Sequence, residues 1–520
     1  MLESTTELQP PSWFLTPQEI TAARNGCSRG LRPYSLQGNS VELLVNGDEV
    51  FKALYDDLSK TQSGDFIWMT GWDIDGAVML LPDPSHPEKA VESRIDIVLL
   101  NAINRSVDIR MLLNFNALSP LSTGYRSLFE FLAAINLAAV ATTGKIMCGP
   151  DDRHNDPFGS LHQKCWVIKR QDETVAYVGS MDISDGRYDT KKHDQDLSWQ
   201  SEPTYSQGFY GFTGGMLRIK GPAVIDIARH LYDQVNDPVP NFPYFQLAPL
   251  PAWSNDPPIH KYDSSAQVQV LLTAGPLGAD QGYYSNWAPK GETTILHATI
   301  KAISLATKYI YLSDQFMWYP PIMEAIANRL TYVDAVLLLT DSGYAMDYLV
   351  RGHDFNSIRD TKFFYQYKAW ECLKDQVKVT AYHLVKETYD APPPRENNQY
   401  IIYTHWKVLI VDDEFGIIGS AGAERSGMTN DVDMSLGIYD LKTVKGIRKQ
   451  LWSEHLNLDV DDPCLDDPLD AIKTVWPREA ASCGRVRKYW PKPIQLCDNY
   501  NYIFEIFEPC GFGGQSKWCQ

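Results

Sequence analysis

A duplicated pattern constrains the fold of this chain more than any other sequence feature. A helix-like stretch from Val50 to Lys60 precedes an apolar run that begins at Phe66, and a similar stretch from Thr294 to Thr307 precedes one that begins at Tyr309. Placing the two runs in register gives an offset of 309 − 66 = 243 residues. Self-similarity on this scale predicts two structurally related halves.

The same offset relates two histidine-lysine pairs. Adding 243 to His162 and Lys164 gives His405 and Lys407. Both pairs lie in strand-like segments, in which residues two apart point to the same face. One such pair is expected by chance in roughly every second chain of this composition, but two pairs at the repeat offset are not. Each strand is followed by a turn, a second strand and a Gly-Ser pair.

The residue types in these pairs suit the chemistry of phosphodiesters. A phosphodiester carries a negative charge that repels nucleophiles, so a site must neutralise its oxygens, supply a nucleophile and protonate the leaving oxygen. One imidazole can attack phosphorus while the other serves as acid and base, and two lysines can hold the oxygens. Hydroxyl groups of Ser180 and Ser420 are expected to add hydrogen bonds to the substrate.

Alternating helices and strands in each half predict an α/β fold, with two lobes that each contain a mixed β-sheet flanked by helices. The lobes should meet at a pseudo-twofold axis, where the two histidine-lysine pairs come together. A proline-rich stretch between them reads as a connector, because proline denies the backbone donors that helices and sheets need. The predicted divisions are residues 1–40 (N-terminal extension), 41–236 (first lobe), 237–265 (connector), 266–460 (second lobe) and 461–520 (cysteine-rich segment).

Composition limits the classes of partner. A formal net charge of −18 argues against a surface that coats nucleic acid, because such binding depends on neutralising phosphates. No stretch is apolar enough for a transmembrane segment, and neither a metal site nor a cofactor motif is evident, so we expect a monomer without cofactor. The default compartment is cytoplasmic, although five cysteines in the last segment leave a secreted or lumenal protein open: Cys464, Cys483, Cys497, Cys510 and Cys519.

The two segments resemble the HxKxxxxD motifs of the phospholipase D superfamily. The second copy reads His405, Lys407 and Asp412, then Gly419-Ser420, with Gly422 in place of the family's asparagine. In the first copy, Lys169 stands where the aspartate belongs. Two further segments are similar to plant and other eukaryotic-type phospholipases D: Gly179-Ser-Met-Asp-Ile-Ser-Asp-Gly-Arg-Tyr-Asp-Thr190 and Tyr309-Ile-Tyr-Leu-Ser-Asp-Gln315.

The resemblance implies a phospholipid substrate at a membrane or micelle surface and a phosphohistidine intermediate. It implies His162 as nucleophile and His405 as acid and base, with the reverse assignment left open, and the lysines as phosphate clamps. Gln315 would contact substrate. A later carboxylate orients each histidine in the family, which suggests Asp433 for His405 and Asp194 or Asp196 for His162.

The remaining expectations are structural. The motif aspartate, here Asp412, should fix a turn rather than touch phosphate, and Asp172 is the candidate to replace it beside Lys169. His193 lies in a polar stretch and is expected to be solvated. The alternatives to an enzyme that hydrolyses or exchanges phospholipid headgroups are a superfamily nuclease, a cardiolipin-synthase-like phosphatidyltransferase or a catalytically inactive lipid-binding relative.

Overall fold

The fold was analysed in a computed structural model of the 520-residue chain. The described residues are 10–83, 85–115, 131, 135, 145–151, 153, 159–184, 186–193, 211–237, 259–275, 284, 287–341, 364–386, 401–482 and 484–491. The predicted connector, Asp194, Asp196 and the cysteines at 483, 497, 510 and 519 fall wholly or mostly outside them. Cys464 is described and is a free thiol.

The first half builds a mixed sheet whose strand order is β1-β8-β6-β5-β2-β3-β4. Strands β2, β3 and β4 run parallel to one another, and every other neighbouring pair is antiparallel. The strands of this half are β1 (Ser35–Val45), β2 (Phe66–Gly71), β3 (Asp108–Asn114), β4 (Lys145–Asp151), β5 (Lys164–Lys169), β6 (Thr174–Gly179), β7 (Gly211–Thr213) and β8 (Gly215–Lys220).

The second half repeats this arrangement in the order β9-β17-β16-β15-β11-β12-β13. Again three strands are parallel and the rest are antiparallel. Its strands are β9 (Ala266–Ala274), β10 (Glu292–Thr293), β11 (Tyr309–Asp314), β12 (Ala335–Thr340), β13 (Val379–Val385), β14 (Ile401–Thr404), β15 (Lys407–Val411), β16 (Phe415–Gly419), β17 (Val432–Tyr439) and β18 (Val486–Lys488). The predicted duplicated α/β fold is thus confirmed.

Helices cover both sheets. The α-helices are Pro17–Ala23, Asn46–Ser59, Pro87–Glu92, Ile95–Asn104, Ala223–Asn236, Thr294–Leu305, Pro320–Arg329, Arg425–Thr429, Leu441–Leu456, Pro468–Asp470 and Trp476–Ala481, with shorter turns at Glu371–Leu373, Pro463–Leu465 and Ala471–Val475. The two repeated helices begin or end within a few residues of their predicted bounds. None of the described helices is long and apolar enough to cross a membrane.

The largest apolar cluster joins the two halves. It includes Val167 and Val178 from the first sheet and Val408 and Leu436 from the second, all with at most 1% of their surface exposed. Strand β1 pairs with β8 along most of its length and with β9 at its start, and β7 pairs with β14. The halves therefore share one core, which fixes the position of one sheet relative to the other.

A buried charge network also crosses between the halves, and it corrects the expectation that His193 is solvated. The imidazole of His193 is fully buried, with Nδ1 2.7 Å from Asp189 Oδ2 and Nε2 2.8 Å from Glu454 Oε1. Glu454 also contacts His455, whose Nε2 lies 2.9 Å from the Tyr311 hydroxyl. Burial lowers the pKa of His193, but Asp189 and Glu454 outweigh it and raise the pKa to about 9.

We expect His193→Ala to lower the free energy of unfolding by about 3–5 kcal/mol, because it leaves two buried carboxylates without their cation. The folded pKa of about 9 exceeds the ordinary value of 6.5. The stabilisation by protonated His193 is therefore complete below the ordinary pKa and is lost as pH rises through about 9. Urea unfolding at several pH values measures both effects. His86→Ala, at a half-exposed histidine, is the matched control, and equal effects in the two variants would contradict the prediction.

Candidate functional site

The second half holds His162 in place. His162 lies directly before β5, and the backbone N–H groups of His162 and Gln163 both donate to the carbonyl oxygen of Val432, at 2.9 and 2.7 Å. The imidazole Nδ1 lies 3.0 Å from Oδ1 of Asp433, and 18% of the side chain stays exposed. With Nδ1 donating to the carboxylate, Nε2 keeps a free lone pair.

Asp433 therefore orients His162, and the sequence-based assignment to His405 was wrong. Burial raises the pKa of Asp433, but His162 and a hydrogen bond from Ser420 outweigh it and hold the pKa below its ordinary value. Ser420 Oγ donates to Asp433 Oδ1 at 2.5 Å. The error arose because Asp433 follows His405 in sequence, whereas β17 begins beside the start of β5 in space: Leu161 and Val432 form a bridge.

His405 has a different environment. Its backbone N–H donates to the carbonyl of Thr213 in the first half at 2.8 Å. The imidazole packs against the rings of Phe212 and Tyr403, with centroids 5.4 and 5.8 Å away, and only 7% of the residue is exposed. Its Nδ1 is buried and makes no hydrogen bond within the described part of the chain. Burial, followed by the charge on Lys407, holds the pKa of His405 well below its ordinary value.

Both lysines are buried beside their histidines. Lys164 Nζ donates to the carbonyl of His162 at 2.6 Å and lies 3.6 Å from Asp182. Lys407 Nζ donates to Gln315 Oε1 at 2.7 Å and to the carbonyl of His405 at 3.1 Å. Burial lowers the pKa of both ammonium groups, that of Lys407 to about 8. Two cations packed this tightly suit an anionic ligand.

Each half supplies its lysine with a carboxylate from a different position in the chain. In the first half, Asp182 follows β6 and accepts from the N–H groups of residues 72 and 73, while β2 ends at Gly71. In the second half, the carboxylate is Asp314 at the end of β11, and Gly422 stands where Asp182 would be. The side chain that seemed to be missing at Gly422 is thus replaced from a neighbouring strand, since Asp314 accepts from the N–H of Ala423 at 2.8 Å.

Asp412 fixes a turn. Its carboxylate accepts hydrogen bonds from the backbone N–H groups of Thr307, Lys308 and Tyr309, which ties the turn between β15 and β16 to the start of β11. In the first half, Lys169 instead donates to the carbonyl of Gly64 at 3.2 Å.

Asp172 does not replace the missing carboxylate. It is exposed and pairs with Arg170 at 3.2 Å.

The predicted substrate contacts are engaged within the protein. Gln315 holds Lys407, Ser420 holds Asp433, and Ser180 Oγ lies 3.4 Å from both the carbonyl and the N–H of Gly215. Gln315 and Ser420 thus position Lys407 and Asp433, whereas Ser180 contacts the backbone. The sequence alone assigned no role to Asp182 or Asp314, although Asp182 lies two residues after the first Gly-Ser pair and Asp314 ends an apolar strand.

One group of potential metal ligands lies at the site. Ligand atoms of His162, Asp431 and Asp433 lie within 4.8 Å of one another. Asp433 already accepts from Ser420, and Asp431 Oδ1 accepts from the N–H of Ser160. Burial, followed by the charge on Lys164, lowers the pKa of His162. This surrounding of donors and positive charge favours an anion over a cation.

The two halves act on each other electrostatically. Burial is the main cause that lowers the pKa of each histidine, but the charge on Lys407 contributes to the shift of His162 and the charge on Lys164 to that of His405. Together with the backbone hydrogen bonds across the interface, these interactions place the four residues in one site, and neither half holds it alone. The arrangement offers one imidazole oriented by a carboxylate, one neutral imidazole and two cations.

Comparison with known proteins shows which families and folds this chain resembles. The family model described as PLDc, phospholipase D, matches residues 362–498, which include His405, Lys407 and Asp433. Phospholipase D beta 2 of Arabidopsis thaliana is 21% identical over 78% of this chain and 56% of its own length. Phospholipase D1 of Saccharomyces cerevisiae is 24% identical over 81% of this chain and 29% of its own length.

Some relatives have a higher sequence identity over a short segment, and one solved structure shares the fold over most of the chain at low identity. Phospholipase D alpha 1 of Cynara cardunculus is 37% identical over 95 residues, 15% of this chain and 12% of the relative. The crystal structure of phosphatidylserine synthase from Haemophilus influenzae matches with a TM-score of 0.53 at 14% identity, over 89% of this chain and 98% of that one. The chain spans about half or less of most of the curated relatives it matches. With its twin histidine-lysine pairs in a duplicated fold, this chain belongs to the phospholipase D superfamily.

Proposed function

We propose that the protein cleaves or exchanges a phosphodiester, with a phospholipid as substrate, through a covalent phosphohistidine. The observation that carries the proposal is the contact between Asp433 and His162, which draws the nucleophile of one half and the carboxylate of the other into one site. A carboxylate that accepts from Nδ1 orients the ring and stabilises the positive charge that develops on it during attack. Nε2 is then the attacking atom.

The proposed reaction has two displacement steps at phosphorus. In the first, His162 Nε2 forms a bond to phosphorus and the bond to the leaving oxygen breaks; the electron pair stays on that oxygen, which takes a proton from solvent if the leaving group is an alkoxide. In the second, water or an alcohol attacks phosphorus while His405 accepts its proton, and the electron pair of the broken P–N bond returns to His162. Lys164 and Lys407 neutralise the nonbridging oxygens throughout.

Lipid as the substrate class is supported by the relatives, which are named phospholipases D, and by the segment from Gly179 to Thr190 that resembles theirs. The net charge of −18 disfavours nucleic acid as the diester. The site itself recognises the phosphate and does not distinguish a lipid from other diesters.

The test is incubation with phosphatidylcholine, ethanol and EDTA, followed by mass spectrometry. A covalent intermediate partitions between water and alcohol, so phosphatidylethanol should form alongside phosphatidate, and the chelator should not prevent it. Release of nucleotides from a single-stranded oligonucleotide, with no lipid product, would establish the nuclease instead. Absence of product from every phospholipid and from the oligonucleotide would indicate an inactive relative and overturn the proposal.

The pKa of Lys407 predicts an alkaline limit to activity. Lys407 clamps phosphate only when protonated, and burial lowers its pKa to about 8, although Asp314 opposes this shift. We therefore expect kcat/KM, which reports the free enzyme, to fall as pH rises through about 8. A profile that stays flat to well above this pH would contradict the assignment of Lys407 as a charged clamp.

Lys169→Asp tests whether the altered turn limits turnover. The new carboxylate would lie near the N–H groups at the start of β2, as Asp412 does in the second half, far from the histidine end of β5. We expect kcat to stay within about two-fold of the wild type, because the residue acts on the turn alone. A gain of ten-fold or more in a steady-state assay would show that the turn controls the site.

A further inference from the structure

The two halves are equivalent in backbone structure beside the histidines but differ in the residue that faces each imidazole from the other half. Ser420 N donates to Met434 O and Ser180 N donates to Gly215 O, at 3.0 and 2.9 Å. Met434 and Gly215 are therefore equivalent positions. The residues directly before them, Asp433 and Gly214, are then equivalent as well.

The backbone hydrogen bonds of the histidines give the same equivalence. His162 N donates to Val432 O, one residue before Asp433, and His405 N donates to Thr213 O, one residue before Gly214. At the position equivalent to Asp433, which orients His162, the residue that faces His405 is therefore a glycine without a carboxylate.

Other groups occupy the neighbourhood of the missing carboxylate. A Cβ atom on Gly214 would lie 2.9 Å from a ring carbon of Phe212 and 3.3 Å from Ser180 Oγ. Phe212 in turn packs on the His405 ring, whose Nδ1 is buried without a hydrogen bond in the described part of the chain. The Phe212 ring thus lies close to the place where a carboxylate at residue 214 would accept a hydrogen bond from the His405 imidazole.

We propose that the site is built for phosphodiesters whose leaving group departs as a weakly basic anion, because Gly214 removes the carboxylate that would keep His405 protonated as a general acid. An aryl oxide is such a leaving group. This inference rests on the proposed function and specifies its substrate class.

The preference for a weakly basic leaving group follows from the proton that each step of the reaction requires. An alkoxide is strongly basic, so the bond to an alkyl headgroup breaks readily only if an acid protonates the leaving oxygen. A weakly basic anion leaves with its electron pair and needs no proton. The second step needs a base, and neutral His405 can accept the proton of water or of an alcohol. Its proton then passes to solvent before the next turnover.

The experiment compares two esters with the same acyl chains, the choline ester and the para-nitrophenol ester of a short-chain phosphatidic acid. Wild-type enzyme should favour the aryl ester in kcat/KM by at least about 100-fold, since general acid catalysis is worth roughly that much or more. It should release a burst of nitrophenolate equal to the amount of enzyme, because the second step limits turnover of this ester. Restoring the carboxylate with Gly214→Asp should raise the ratio of alkyl to aryl kcat/KM by at least about ten-fold.

Gly214→Asn is the matched control, because it adds the same volume without a charge and should not raise the ratio. If Gly214→Asp fails to fold, Phe212→Leu in the same chain makes room for it, and the wild-type comparison stands without any variant. Equal turnover of the two esters by wild type, or equal ratios in the Asp and Asn variants, would overturn this inference and leave the proposed function intact. Cleavage of neither ester would overturn the proposed function, and the inference with it.

Discussion

Replacing His162 by alanine is expected to lower kcat by at least about 10⁴-fold, because it removes the only imidazole that a carboxylate orients at the described site. The second half cannot compensate, since His405 is buried and neutral, and none of the described residues accepts from or donates to its Nδ1. Turnover of the best phosphodiester substrate in single-turnover conditions measures the effect, and a thermal melt shows whether the variant is folded.

His405→Ala is the comparison for this variant. It should also reduce turnover strongly, but by blocking the second step, because water or alcohol then lacks its base. His86→Ala controls for loss of a surface histidine. If either active-site variant, folded and pure, kept more than a few per cent of wild-type turnover, the site shared between the halves would be wrong.

The second large effect is expected for Asp433→Asn, with kcat lower by about 10³- to 10⁴-fold and KM little changed. An amide keeps the shape but can donate to Nδ1, which favours the tautomer whose Nε2 carries the proton and cannot attack. Asp433 is a positioning residue, so its replacement should also change the ¹⁵N chemical shifts of the His162 ring.

Asp431→Asn serves as the matched control, because this neighbour accepts from the N–H of Ser160 through an oxygen that asparagine retains. We expect its effect on kcat to stay below about ten-fold. Shifts in the His405 ring instead of the His162 ring, or equal losses in the two variants, would contradict the pairing of Asp433 with His162.

The sequence allowed the duplicated fold and the four central side chains to be predicted. A repeat offset is a property of the chain itself, and the period of two along a strand places His and Lys on one face without knowledge of the fold. The same local rules predict helix 46–59 and strand 66–71 to within a few residues, because amphipathic helices and apolar strands are encoded by their neighbours.

Partnership across the interface could not be predicted in the same way. Asp433 lies 433 − 405 = 28 residues after His405 and 433 − 162 = 271 residues after His162 in sequence, yet it contacts His162, because β17 begins beside the start of β5. His193 was misread for the same reason. Its neighbours in sequence are polar, but Glu454, from a helix 261 residues away, makes it a buried ion pair.

The exchange of Asp182 for Asp314 shows a further limit. The two carboxylates stand at non-equivalent positions of the repeat, so alignment of the halves leaves each without a match, at Gly422 and Gly71. In space both lie beside a lysine, and each accepts backbone N–H groups from a loop at the site. The role of such a residue depends on the position of its carboxylate in space, which an alignment of the two halves does not show.

The central claim is that His162 becomes covalently bound to phosphorus in a site completed by the second half. The most direct measurement mixes the His405→Ala variant with the para-nitrophenol ester, quenches it at alkaline pH, where phosphohistidine survives, and locates the added mass by peptide mass spectrometry. The account predicts a phosphatidyl group on the peptide that contains His162 and none in the His162→Ala variant. Label on another residue, or no label while nitrophenolate is released in a burst, would contradict it.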